Sequence, residues 1–83
     1  MDRNGLKRVL VNAISKVKRT TYDVANIAED DYLGGDLGVT SVEMLECMYD
    51  IQKELEIEIA DTKLVDLYTV KDVIDLIINC END

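Results

Sequence analysis

Eighty-three residues are enough for one small core and too few for two, since a chain of this size buries only about 60% of the surface it exposes when unfolded. Eighteen acids against nine bases leave a formal charge of −9, which argues against nucleic acid or an anionic membrane as partner and for basic proteins instead. The absence of histidine removes the Ser-His-Asp and Cys-His arrangements, the usual neutral-pH base and the commonest metal ligand, so the composition speaks against an enzyme.

The chain also lacks Phe, Trp and Pro, while 47% of it is hydrophobic, as expected of a helical bundle rather than an acidic disordered tail. Met1-Asp2-Arg3-Asn4-Gly5 is followed by charges that break any signal-like stretch. No apolar run exceeds three residues, against roughly 20 for a membrane-crossing helix. Cys47 and Cys80 lie far apart and form no C-x-x-C pair. The expectation is one domain over residues 1–83: reduced, cytoplasmic and monomeric, with no nucleic-acid or membrane partner.

In chain order, Leu6, Val9, Leu10, Ala13, Ile14 and Val17 follow the 3-4-3-4 spacing of one helical stripe, so a first helix begins at Leu6 and ends near Lys18. Residues 1–21 carry six basic side chains against Asp2 alone, and the remainder carries 17 acids against Lys53, Lys63 and Lys71. The molecule is electrically lopsided. Residues 19–40 show no sustained period and hold Gly34, Gly35 and Gly38, the mark of an unusually long loop of the kind often tied to function. A short helical turn is expected within Ala25 to Leu33, with Ile27 and Leu33 pinning the loop to the core.

Thr40-Ser41-Val42-Glu43 then has the T-x-x-E form of a capping box, which predicts a second helix through Met44, Cys47, Met48, Ile51 and Leu55. Glu56-Ile57-Glu58-Ile59 alternates like a strand but has no partner strand, and reads as an extended link. Asp61 to Leu67 is expected to form one short helix capped by a side-chain oxygen. Thr69-Val70-Lys71-Asp72 repeats the capping logic and opens a last helix whose buried face is Val70, Val73, Ile74, Ile77 and Ile78. The fold class is therefore all-α: three main helices plus one short helix, with a long loop between the first two.

Several chemical motifs fail on inspection. Ser15-Lys16-Val17-Lys18 fits S-x-x-K, but the companion motifs of such hydrolases are missing. No 12-residue window in the acidic stretch Asp30 to Glu46 has the Asp, Gly and Glu of a calcium loop. Gly34-Gly35-Asp36-Leu37-Gly38 lacks the G-K-[ST] of a nucleotide loop. What remains is Ser41, a hydroxyl in the first turn of a helix, where free N–H groups and the macrodipole favour an attached anion. Ser41 as a mere second capping residue is the plain alternative.

Asp36-Leu37-Gly38-Val39-Thr40-Ser41-Val42-Glu43-Met44 resembles the phosphopantetheine attachment motif of acyl carrier proteins, in which an aspartate-leucine-glycine turn leads to the modified serine. The likeness continues through Glu54-Leu55-Glu56-Ile57-Glu58-Ile59 and Tyr68-Thr69-Val70-Lys71-Asp72-Val73-Ile74-Asp75, and spans Leu6 to Ile78. The chain departs from the family at Thr40, where Asp is usual, at Val42, where Leu is usual, and at Ala60, where many members have proline. The resemblance implies an acyl-carrier-like bundle with no catalytic role. It implies that Ser41 takes 4'-phosphopantetheine from coenzyme A, on a separate magnesium-dependent phosphopantetheinyl transferase. The arm then holds acyl intermediates of fatty-acid or polyketide-type synthesis as thioesters.

The helix after Ser41 adds its own signal. Met44, Cys47, Met48, Ile51 and Leu55 form one stripe and Val42, Leu45 and Tyr49 another, together an apolar arc of about 220°, wider than one core buries. Either flanking helices cover both stripes, or the second docks partners. Asp36, Leu37, Val42, Glu43, Leu45, Glu46 and Tyr49 are thus the candidate docking residues, facing acyl-loading and condensing enzymes with basic surfaces, with Lys53 interrupting the acidic face. A peptidyl or aminoacyl carrier, left open by Thr40 and Gly34-Gly35, and an unmodified helical interaction module are the alternatives.

Overall fold

A computed structural model describes residues 1–81, which contain three α-helices: α1 (Arg3–Lys18), α2 (Ser41–Leu55) and α3 (Val70–Glu81). No strand appears among the described residues, where the extended pairing is a single isolated bridge between Tyr32 and Thr69. Helix α1 packs against both α2 and α3.

Helix α1 begins three residues ahead of its apolar stripe, because the Asp2 carboxylate accepts the N–H of Gly5 at 2.7 Å and so caps a turn that carries no core residue. Leu6, Leu10, Val11 and Ile14 are buried along its length. Arg19 ends it in the left-handed conformation at φ 54°, with Lys16 and Lys18 in the last turn, where the helix dipole favours cations.

The long loop is held down at many points. Ile27, Leu33, Leu37 and Val39 are buried in the same core cluster as the helices, as the pinning of Ile27 and Leu33 anticipates. The helical turn within it is a 3₁₀ turn, Val24–Asn26, capped by Asp23 and placed slightly earlier than expected. The loop is also sewn to the start of α3: Leu33 N–H donates to the Tyr68 carbonyl, Val70 N–H to Asp31 and Lys71 N–H to Glu29, at 2.7–3.1 Å. Arg3 adds a side-chain tie, donating to Glu29 at 3.1 Å and to Asp75 of α3 at 2.9 Å.

The expected extended link over 56–59 is shorter than predicted: Glu56 ends α2 in the left-handed conformation at φ 55°, and 57–59 follow without regular structure, with Ile59 buried and its N–H donated to the Gln52 side chain at 2.8 Å. The segment that follows is shorter than the helix expected over Asp61 to Leu67: a 3₁₀ turn, Asp61–Lys63, without a side-chain cap. Ala60 occupies the cap position and offers no side-chain oxygen, and Asp66 at φ 60° breaks any continuation. Helix α3 does open on its capping box, with Thr69 N–H donating to Asp72 and Asp72 N–H to the Thr69 hydroxyl. Val70, Val73, Ile74 and Ile77 are fully buried, whereas Ile78 is only half-buried.

Cys47 lies in the core, and burial pushes its thiol up to about 11, with nearby Asp50 adding to the effect. It packs as a small apolar side chain rather than a nucleophile. Truncation of Ile51 or Ile74 to alanine is expected to cost about 2–5 kcal/mol, a large share of the stability of so small a domain. Equilibrium denaturation checks this, and an unchanged midpoint would contradict the core assignment.

Candidate functional site

The site is built from the end of the long loop and the first turns of α2. From Tyr32 the chain folds back on itself: Asp36 N–H donates to the Tyr32 carbonyl at 2.9 Å while Tyr32 N–H donates to the Asp36 carboxylate at 2.7 Å. Gly38 then turns at φ 68°, in the left-handed region that glycine enters freely. A Cβ there would touch nothing within 4 Å, so backbone conformation rather than space calls for glycine. Val39 is buried and anchors the end of the turn.

Thr40 caps α2 as its spacing predicts. Its hydroxyl accepts the N–H of Glu43 at 3.2 Å, and the Glu43 carboxylate accepts the N–H of Thr40 at 3.0 Å. Ser41 is consequently the first residue of the helix, exposed to solvent, and its hydroxyl makes no hydrogen bond among the described residues. The N–H groups of Ser41 and Val42 belong to the first turn and have no intrahelical acceptor, which leaves them and the dipole available to an anion. A phosphodiester on the Ser41 oxygen fits this position: exposed, unhindered and at the positive end of a 15-residue helix.

The second apolar stripe of α2 is left uncovered. Val42, Leu45 and Tyr49 are 67%, 40% and 51% exposed, on the side that carries Ser41 rather than in the core. Glu46 is exposed beside them. Three other candidates differ from their expected setting. Leu37 is buried and belongs to the core, which corrects its place in the docking set. Glu43 is half-buried and turned back onto Thr40 and Lys18 rather than out to solvent. Asp36 is exposed, but one carboxylate oxygen already closes the Tyr32 turn.

Across from this stripe lies a wall that sequence reasoning missed. Leu64, Val65, Asp66, Leu67 and Tyr68 face Ser41, Met44 and Leu45 over a groove of about 340 Å³. Tyr68 donates its hydroxyl to the Asp66 carboxylate at 3.0 Å, which pushes the phenol up. The signal in the sequence was Val65, an apolar residue that no helical period assigns to the core and that is 62% exposed. No group of three metal-ligating side chains occurs among the described residues, and none of their helices is long and apolar enough to cross a membrane.

Comparison with known proteins follows the same outline. A family model for the phosphopantetheine attachment site matches residues 8–77, which takes in the whole of this site. No curated protein matches the chain.

Two outcomes test the local account. Thr40→Ala removes one half of the capping box and is expected to cost about 1 kcal/mol in chemical denaturation. The Glu43 carboxyl is held below the usual carboxylate range, first by the Thr40 N–H and further by Lys18. Its folded-state value therefore lies below the unfolded one of about 4.3, so its stabilisation is present above that pH and is lost as pH falls through the folded value. The stability gap between wild type and Glu43→Gln should be constant near neutrality and close on acidification; a gap independent of pH would contradict the assignment.

Proposed function

The chain belongs to the phosphopantetheine-binding carrier family, whose cofactor is 4'-phosphopantetheine, and we propose that Ser41 bears that group and that the protein is an acyl carrier. The observation that carries this reading is the exposed Ser41 hydroxyl at the first position of α2, within the matched residues and directly after the Gly38 turn. The other serine, Ser15, is half-buried and its hydroxyl accepts the Tyr22 N–H at 3.3 Å.

In the transfer, Ser41 Oγ forms a bond to the pantetheine-side phosphorus of coenzyme A and the pyrophosphate linkage breaks. Adenosine 3',5'-bisphosphate leaves, and the hydroxyl proton passes to a base on the magnesium-dependent transferase. The carrier supplies the nucleophile and the docking surface; the chain has no histidine to serve as base, activation is assigned to the transferase, and the molecule is read as a carrier rather than an enzyme. The loaded arm holds acyl groups as thioesters for loading and condensing enzymes of fatty-acid or polyketide-type synthesis.

Charge supports acyl-pathway partners with basic surfaces. The net −9 and the exposed Glu46 beside Val42, Leu45 and Tyr49 favour fast, salt-sensitive encounters over tight binding, which suits a carrier that must be released. The free thiols of Cys47 and Cys80 agree with a reduced, cytoplasmic setting for this single-domain carrier. Thr40 in place of the usual aspartate, with Gly34-Gly35, leaves open a second reading, a peptidyl or aminoacyl carrier; loading by an adenylating enzyme with an amino acid distinguishes it.

Intact-mass analysis tests the attachment. Incubation with coenzyme A and a broad-specificity phosphopantetheinyl transferase should add one phosphopantetheine to wild type and none to Ser41→Ala. An unchanged wild-type mass would contradict the carrier reading and favour an unmodified interaction module.

A further inference from the structure

The turn before Ser41 has two sides, and they are held differently. Its N–H groups are fixed by the backbone: Gly38 N–H donates to the Gly34 carbonyl at 3.1 Å and Val39 N–H to the Leu33 carbonyl at 2.8 Å. Its carbonyls are taken by side chains from the last turn of α1 and the residues just after it. Tyr22 donates its hydroxyl to the Leu37 carbonyl at 2.9 Å, and Lys18 Nζ donates to the Gly38 carbonyl at 2.8 Å. Lys18 also pairs at 3.2 Å with the same Glu43 oxygen that accepts the Thr40 N–H. One ammonium thus brackets residues 38 to 43, with Ser41 between its two points of attachment.

The need for such a bracket follows from Gly38. Its left-handed backbone is unstrained for glycine, and nothing lies within 4 Å of where a Cβ would sit, so the glycine contributes no packing of its own between its buried neighbours Leu37 and Val39. We propose that Lys18 and Tyr22 are positioning residues for group transfer onto Ser41: they hold the Leu37 and Gly38 carbonyls and thereby fix the direction in which the first turn of α2 presents its hydroxyl. This rests on the reading of Ser41 as the attachment residue. Neither side chain touches the reacting atoms, and both act through the turn.

Charge and positioning make opposite forecasts for Lys18. Replacing it by methionine leaves the surface around Ser41 more negative, which speeds encounter with a basic transferase if steering dominates. Loss of the bracket instead widens the orientations of Ser41 and lowers turnover, since a displacement of about 1 Å at a reacting group is enough to cost orders of magnitude in rate.

The experiment is steady-state transfer from coenzyme A by a phosphopantetheinyl transferase to wild type, Lys18→Met, Lys18→Arg, Tyr22→Phe and Arg3→Met. Arg3→Met breaks the ties to Glu29 and Asp75 at the opposite end of α1 and controls for general loosening. Lys18→Met and Tyr22→Phe should lower kcat/KM for the carrier by about tenfold, mainly through kcat and with KM for coenzyme A unchanged. Lys18→Arg should recover most of the loss, and Arg3→Met should match wild type. Tyr22→Phe deletes a single oxygen, so the test stands even if Lys18→Met does not fold. Wild-type rates in both variants, or an equal loss in Arg3→Met, would overturn the bracket while leaving Ser41 modified; no modification of wild type would overturn the attachment itself.

Discussion

The reciprocal hydrogen bonds between Thr40 and Glu43 decide where α2 begins, and with it where Ser41 stands. Were the helix to start one residue later, Ser41 would become its cap and spend its hydroxyl on a backbone N–H. Because Thr40 takes that task, the Ser41 oxygen is left exposed and unbonded at the positive end of the helix dipole. The Gly38 turn and buried Val39 bring the chain to this point, and the loop's ties to α1 and α3 keep it there. A 22-residue connection that looks permissive in sequence is in structure a platform for one side chain.

Charge is divided along the same lines. Of the six basic residues in the first 21, Arg3 and Lys18 pair with Glu29, Asp75 and Glu43, and Lys7 donates to the Ile27 carbonyl. Half of the positive charge of residues 1–21 is therefore spent internally, tying loop and helices together. These partly exposed pairs contribute little stability each, but they fix geometry where the backbone alone does not. The acids of the exposed side of α2 remain for partners, around the Val42, Leu45 and Tyr49 stripe.

Much of this was legible in sequence because it is local. Capping boxes at Thr40 and Thr69 obey fixed spacing, and the apolar stripes of α1, α2 and α3 follow the helical period. Ser41 stood out for the same reason. Non-local features were not legible: the far wall of the groove is made by Leu64 to Tyr68, and the grip of Lys18 and Tyr22 on the Gly38 turn depends on how the end of α1 and the start of the loop lie against it. The short helix expected after Asp61 shrank to a 3₁₀ turn because its cap position is Ala60. Leu37, a docking candidate from sequence, lies in a loop with no apolar period to mark it as core, yet it is buried.

The account comes down to which oxygen bears the prosthetic group. The chain has two serines, and the structure leaves one hydroxyl free and engages the other. Tandem mass spectrometry of proteolytic fragments from the unmutated protein, produced together with a phosphopantetheinyl transferase, reads the site directly. Phosphopantetheine on Ser41 alone is the expected result; the group on Ser15, on a threonine or on no fragment would contradict it.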